Sequence, residues 1–214
     1  MVVIGSKGHA LEVFELLTRK GIVDLYFYDD VSTTFENKSI SSYPIIRTPD
    51  KLKVHFQKDP DFILGVGQSS TRKKLSELAQ RLGGKLNTVI SSTAIVSDKN
   101  VKLFEGLNIM DSVIIQPEVT IGVGTLINAR ATVHHNTMIG TYCEISPGAI
   151  ITGNVTIGNE STIGSGALII PRINIGNNVT VGAGTVVIRD VPDHARIVGN
   201  PGRIIGFVNP DEPL

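Results

Sequence analysis

Two adjacent histidines interrupt a stretch that is otherwise aliphatic, small or glycine-bearing: Val133-His134-His135-Asn136-Thr137. Imidazole is the side chain whose ordinary pKa suits proton transfer near neutral pH. Adjacent residues on a strand point to opposite faces, so the two rings should not share a role. One would face a cleft, the other solvent or a neighbouring subunit. A pair of surface histidines without chemistry is the alternative. The spacing argues against zinc, because the chain has neither C-x-x-C nor H-x-x-x-H. A G-x-S-x-G nucleophile elbow and a Walker A loop are also absent. A catalyst built from what remains needs only one base and two aligned substrates.

A second group lies near the start. Met1 to Gly5 reads as a short apolar strand running into Gly5-Ser6-Lys7-Gly8-His9, and Leu25 to Tyr28 as another ending at Asp29-Asp30. A helix N-terminus offers N–H groups to a phosphate or hydroxyl, and acids after the second strand accept from ribose or base donors. A lone G-x-x-G turn is as often plain strand-to-helix geometry, and the dinucleotide fingerprint G-x-G-x-x-G is not met. A second glycine loop, Gly65-Val66-Gly67-Gln68-Ser69-Ser70, precedes a helix expected from Thr71 to Leu82 with Arg72, Lys73 and Lys74 in its first turn. Cations there oppose the helix dipole, so Arg72 reads either as facing an anionic ligand or as ordinary solvated charge.

The element that must hold the histidines is a six-residue repeat. From Leu103 through Ile109, Ile115 and Ile121 to Val187, fifteen consecutive hexads carry Leu, Ile or Val at one position without an insertion. A second column, from Val113 through Ala131 and Cys143 to Val191, is small or β-branched, and Gly often follows the aliphatic residue, as at Gly122, Gly140 and Gly158. A period of six suits neither an α-helix nor a hairpin meander; it is the signature of a parallel β-helix whose corners are turned by Gly or Asn. Three hexads per coil would give five coils, about 24 Å long at a strand spacing of about 4.8 Å. Cys143, the only cysteine, falls in the small column and reads as a packed thiol rather than a nucleophile.

Ahead of the repeat, the pattern predicts a helix from Leu11 to Gly21, a polar loop over Ser32 to Ser42, and a short strand at Tyr43-Pro44-Ile45. A capped helix from Pro49, a buried strand over Asp61 to Gly65, and a last strand over Leu86 to Ile90 follow. This divides the chain into an α/β Rossmann-like domain over 1–90 and an all-β domain over 91–214, closed by a polar cap after Pro192. Twenty basic residues balance twenty acidic ones, so nothing points to nucleic acid or an anionic membrane. No apolar run reaches the roughly 20 residues of a membrane span, and no signal peptide precedes the first strand, so the expected place is the cytoplasm.

The chain resembles the sugar-nucleotide acetyltransferases of the left-handed β-helix superfamily, which include bacillosamine-pathway and GDP-perosamine N-acetyltransferases and sialic-acid O-acetyltransferase-like proteins. The resemblance rests on Ile4 to His9, Phe27-Tyr28-Asp29-Asp30, Gly65-Val66-Gly67-Gln68, the VHHNTMIGTYCEISPGA stretch and Val198-Gly199-Asn200-Pro201-Gly202-Arg203. It implies the left hand, which general crossover rules would not supply. It also implies homotrimers with sites in clefts between adjacent prisms. By this likeness the co-substrate is acetyl-CoA, without a metal. The acceptor is a nucleotide-linked amino sugar such as a 4-amino-4,6-dideoxyhexose, and His135 is the general base.

Relatives often place an acid directly after that histidine; here it is Asn136. The family's second histidine falls on Glu144, for which pairing with His135 is the alternative role. Gly153, Ser165 and Ala183 match the groove of the coenzyme's pantetheine arm, and Arg203 a cation near its phosphates. Lys7, Gly8, His9, Asp29, Asp30, Gly67 and Gln68 match the nucleotide-sugar pocket. O-acetylation of a sugar, and a non-catalytic sugar-nucleotide-binding scaffold, are the alternatives.

Overall fold

The computed structural model describes residues 1–31, 39–40 and 42–207. The chain divides into two compact units, Met1–Val89 and Ile90–Leu214.

In the first unit β1 (Val2–Ile4), β2 (Tyr26–Tyr28), β3 (Ser39–Ile40), β4 (Tyr43–Ile46), β5 (Asp61–Leu64) and β6 (Lys85–Leu86) form one sheet in the order β3-β4-β2-β1-β5-β6. All neighbours are parallel except the β3–β4 pair. The central strands carry near-continuous apolar runs because both faces are covered, and Val2, Val3, Ile4, Phe27, Phe62, Ile63 and Leu64 are buried. Helix α1 (His9–Arg19) buries Ala10, Val13, Leu16 and Leu17 at helical spacing. Helix α2 (Pro49–Phe56) has Pro at its start and Thr48 as its cap, the hydroxyl accepting from Lys51 N at 3.4 Å. Helix α3 (Ser69–Arg81) begins two residues earlier than its charge pattern suggests. The polar loop expected over Ser32 to Ser42 lies mostly outside the described residues, and β3 within that span is a strand, not loop. The strand expected over Leu86 to Ile90 is two: β6 ends the α/β sheet, and Val89–Ile90 begins the second unit's sheet.

From Val89 the chain winds as two-residue strands joined by tight corners, stacked into three parallel sheets. Ile109 pairs with Ile127, Ile127 with Ile145 and Ile145 with Ile163, so one coil takes eighteen residues. Both sequence columns point inward: Ile109 to Val187 of the aliphatic column, and Val113 to Val191 of the small column, are buried throughout. Four buried side chains of the small column cap corner carbonyls, among them Thr137 Oγ1, which donates to Thr152 O (3.1 Å). Thr125 Oγ1 donates to Gly140 O (2.8 Å), Cys143 Sγ to Gly158 O (3.0 Å) and Ser161 Oγ to Gly176 O (2.8 Å). A buried carbonyl left without a donor would cost about 1–3 kcal/mol.

The corner glycines do different work from that expected. From Leu103 to Val181, left-handed backbone falls three residues after each aliphatic one, where the chain places among others Glu118, Gly124, Arg130, Asn136, Tyr142 and Gly148, these six with φ between 51° and 70°. The glycines directly after the aliphatic residue are not left-handed; they admit the next coil. A Cβ on Gly122 would meet the Gly140 backbone at 2.7 Å, and one on Gly158 the Gly176 backbone at 2.6 Å. Beside this ladder runs a second, in which Asn159 Oδ1 accepts from Thr141 N, Asn177 Oδ1 from Asn159 N and Asp193 Oδ1 from Asn177 N, at 2.8–2.9 Å. These hydrogen bonds hold the Asp193 carboxyl below its ordinary pKa. Ala195–Val198 continues one sheet beside Thr180–Val181, and Arg203–Phe207 folds back antiparallel to close that end.

The distinction is measurable. Gly140→Ala, forced against Asn159 and Gly158, is expected to cost about 1–3 kcal/mol. Gly148→Asn, at a left-handed corner with open space around it, should stay within about 0.5 kcal/mol. Urea unfolding of both variants checks this; equal losses would show that the two glycine classes are not distinct.

Candidate active site

The parallel strands of the first unit reverse their order between β1 and β5, and ligands of such sheets bind beyond the carboxyl ends of the strands at that point. A cavity of about 320 Å³ lies there, bounded by the ends of β1, β2 and β5 and the start of α3. Lys7, Asp29 and Asp30 of the expected pocket line it. They are joined by Ser6, Tyr28, Val66, Thr71 and Leu75, which sequence reasoning did not single out. Gly5 adopts φ +112°, and a Cβ on it would meet Gly65 O at 2.9 Å, so the two glycine loops abut.

The two aspartates are not equivalent. Asp29 accepts from Ser6 Oγ and, through Oδ1, from Val31 N at 3.1 Å, while its carbonyl receives Arg47 at 3.1 Å. It ties the loops together. Asp30 receives the Tyr28 hydroxyl on Oδ2 at 2.8 Å. Burial first, then this bond and the charges of Asp30 and Asp29, push the Tyr28 phenol above its ordinary pKa. Gly8, His9, Gly67 and Gln68 flank the cavity rather than line it. Gly8 starts α1 with φ 47°, and His9 Nδ1 engages Glu12 Oε2 at 3.0 Å, an interaction that holds the Glu12 carboxyl below its usual value. Gln68 starts α3, and its Oε1 accepts from Thr71 Oγ1 at 2.7 Å. Arg72 fits neither sequence reading: it is fully buried, and its Nη1 donates to Val66 O at 2.6 Å. The guanidinium braces the second glycine loop from within.

In the second unit His134 and His135 do not lie on a strand. The strand is Thr132–Val133, and both histidines occupy the corner after it. Strand alternation therefore does not separate them; burial does, since His134 is half-buried and His135 exposed. His135 Nδ1 lies 2.8 Å from Asn136 Oδ1. An amide oxygen only accepts, so with that oxygen facing it Nδ1 is the nitrogen that would hold the proton, which leaves the Nε2 lone pair to accept. Beneath the ring, one coil on, is Gly153. Continuing down the same corner, Arg189 meets Arg203 around a cavity of about 220 Å³ that Asp190, Ile197, Gly202 and Ile204 complete. Arg189 was not anticipated; its signal is its position in the column of His135 and Gly153, three coils along.

Ser165 and Ala183 stack on each other at a different corner, where Gly184 N donates to Ser165 O at 2.9 Å. Glu144 sits on a third element, the strand Glu144–Ile145, and its Oε1 receives Ser146 Oγ at 3.3 Å. No hydrogen bond or ion pair joins it to His135 in this chain, so the pairing suggested from sequence is not made.

Residues 1–79 match the family model described as the PglD N-terminal domain. The acetyltransferase domain of PglB from Neisseria gonorrhoeae FA1090 is 33% identical, with a TM-score of 0.86 over 95% of this chain and 98% of that one. PerB from Caulobacter crescentus, solved in complex with CoA and GDP-perosamine, is 31% identical over 96% of both chains, with a TM-score of 0.88. The chain belongs to the sugar-nucleotide acetyltransferases. WeeI from Acinetobacter baumannii AYE, 27% identical over 95% of this chain and 98% of its own, has a TM-score of 0.79. Membership makes the chain an enzyme of the sugar N-acetyltransferase class and its second unit a left-handed parallel β-helix. No cluster of three or more His, Cys, Asp or Glu among the described residues could hold a metal ion, and no described helix is long and apolar enough to cross a membrane.

The Ser6–Asp29 bond in the first unit is open to test. Ser6→Ala is expected to lower stability by about 1.5–3 kcal/mol, the range for a hydrogen bond to a charged group, in urea unfolding of the full chain. A variant as stable as its parent would mean that the other donors to Asp29 suffice.

Proposed function

We propose that the protein transfers an acetyl group from acetyl-CoA to the amine of a nucleotide-linked amino sugar, a 4-amino-4,6-dideoxyhexose, with His135 as general base. The observation that carries this is the exposed imidazole whose Nδ1–H is engaged by Asn136, leaving Nε2 to accept a proton. The likeness to the Caulobacter N-acetyltransferase supports it, since variants of that enzyme with one histidine replaced by Ala or Asn were solved with CoA and GDP-perosamine. Lys7, Asp29 and Asp30, with the loops carrying Gly8, His9, Gly67 and Gln68, hold the nucleotide sugar in this reading. Glu144, Gly153, Ser165, Ala183 and Arg203 serve the coenzyme. The working form is a cytoplasmic homotrimer.

The amine nitrogen attacks the thioester carbonyl carbon, and its proton passes to Nε2 as the carbon–nitrogen bond forms. The carbon–sulfur bond then breaks, and the imidazolium returns the proton to the departing thiolate, so the enzyme is unchanged after each turnover. Transfer is direct. An acyl-enzyme would need a nucleophile, and the one thiol is fully buried, donates to Gly158 O, and is pushed up to about 12 by burial.

Acetyl-CoA mixed with UDP-, dTDP- and GDP-linked amino sugars tests the reading through thiol release and product mass. An N-acetyl product supports it, an O-acetyl product replaces it with hydroxyl transfer, and binding without turnover across the panel leaves a scaffold. His135→Ala should lower kcat about 10²–10⁴-fold and His134→Ala far less; equal losses would refute the division of roles. Asn136→Asp puts a carboxylate beside the ring, which favours imidazolium and raises its pKa. The base must be neutral, so the acidic limb of the kcat/KM profile should move to higher pH, and an unmoved limb would show that this ring does not titrate in catalysis.

A further inference from the structure

Two glycines of the β-helix lie against a ring: Gly124 against Tyr142 and Gly153 against His135. Gly124 has φ +69°, so its backbone alone favours glycine, whereas Gly153 has no such demand. The stacking glycines Gly122, Gly140 and Gly158 are each blocked by backbone of the next coil. At Gly153 the three atoms nearest an added Cβ all belong to one imidazole: His135 Cε1 and Nε2 at 2.6 Å and Nδ1 at 3.2 Å. Its backbone is not left-handed, so a side chain would meet no conformational strain there. The corner is fixed by hydrogen bonds from Asn154 N to His135 O (3.0 Å) and from Arg172 N to Gly153 O (3.2 Å). The residues stacked at this position in successive coils are Pro117, His135, Gly153, Pro171 and Arg189, of which only the one beneath the imidazole lacks a Cβ. The solenoid does not require a glycine at 153; the ring does.

We infer that Gly153 is a positioning residue: its bare α-carbon is the seat on which the His135 imidazole lies, and with Asn136 it fixes where Nε2 points. Asn136 fixes rotation and tautomer by holding Nδ1–H, and Gly153 fixes height above the coil. A methyl at 153 lifts or swings the ring, which can move because His135 is exposed. The fold should therefore tolerate the change while the base leaves its line to the substrate. This rests on the reading of His135 as the base.

A double-mutant cycle tests it. Gly153→Ala in the otherwise unchanged enzyme should lower kcat about 10²-fold, the usual effect of displacing a reacting group by about 1 Å. The melting temperature should hardly change, and the KM for acetyl-CoA, which Gly153 serves through its backbone in the reading above, should move far less than kcat. In a His135→Ala background, where the methyl has room, the same substitution should cost nothing further in kcat. Nitrogen-15 NMR of histidine-labelled enzyme gives an independent readout of the seat: the Nδ1-protonated tautomer should dominate at His135 in the parent and lose that dominance in Gly153→Ala. An equal loss in both backgrounds, or a loss confined to the KM for acetyl-CoA, would overturn the inference and leave Gly153 a plain coenzyme contact. An unchanged tautomer would overturn it as well. Full activity of His135→Ala would remove the base reading instead, a failure that the NMR result distinguishes from failure of the seat.

Discussion

Through the regular coils, from Lys102 to Val187, the strands lie directly against the strands eighteen residues on, and that stacking governs the rest. Two-residue strands give each coil few hydrogen bonds of its own, so cohesion comes from coil-to-coil contacts repeated in strict register. At the strand spacing of about 4.8 Å, a corner has room for a side chain only if it points outward or if its neighbour offers none. Gly122, Gly140, Gly158 and Gly176 resolve this for one corner by removing the side chain from four successive coils. The buried hydroxyls and the thiol at Thr125, Cys143 and Ser161 answer the accompanying problem of corner carbonyls turned away from the sheets. The Asn159–Asn177–Asp193 ladder then stops at a carboxylate, which can accept from the last coil without needing a further coil below it.

The same geometry decides where chemistry can sit. Inward positions are taken by aliphatic and small residues, so functional side chains are left to the corners and outer faces. His135 sits at such a corner, with its ring directly against Gly153 one coil on. In the first unit the equivalent logic is topological: a parallel sheet that reverses strand order leaves a crevice at the carboxyl ends of its strands, and the Ser6–Asp29 and Tyr28–Asp30 bonds shape it. Both sites arise where regular structure stops.

Periodicity made the solenoid and its inward columns legible, because each hexad repeats the same physical demand. The loops ending at Gly5, Asp29 and Gly65 were legible for a similar reason, being breaks in short apolar strands. The role of Arg72 was not, since charge at a helix start looks identical in sequence whether it faces solvent or a buried carbonyl. Strand alternation misdirected the reading of His134 and His135, as strands of two residues end before the pair begins. The corner glycines were misread because sequence does not distinguish a glycine needed for positive φ from one needed for a close neighbour. Contacts across eighteen residues, such as His135 on Gly153, become visible only once the coil length is known.

Asn136 bears on the chemistry as much as on the fold. Its φ of 57° is a conformation that Asn tolerates better than most side chains, which suits it to a left-handed corner next to the imidazole. Its amide oxygen can fix the neutral tautomer as a carboxylate would, yet it supplies no negative charge to stabilise the imidazolium once the proton arrives. In the proposed reading, the base is oriented but not strengthened. It fits a reaction in which the imidazolium is brief, formed as the amine attacks and discharged as the thiolate leaves, rather than one that stores the proton across a long-lived covalent intermediate. The Cys143 thiol and the Thr125 and Ser161 hydroxyls are already committed to corner carbonyls, so none of these three is open to form such an intermediate.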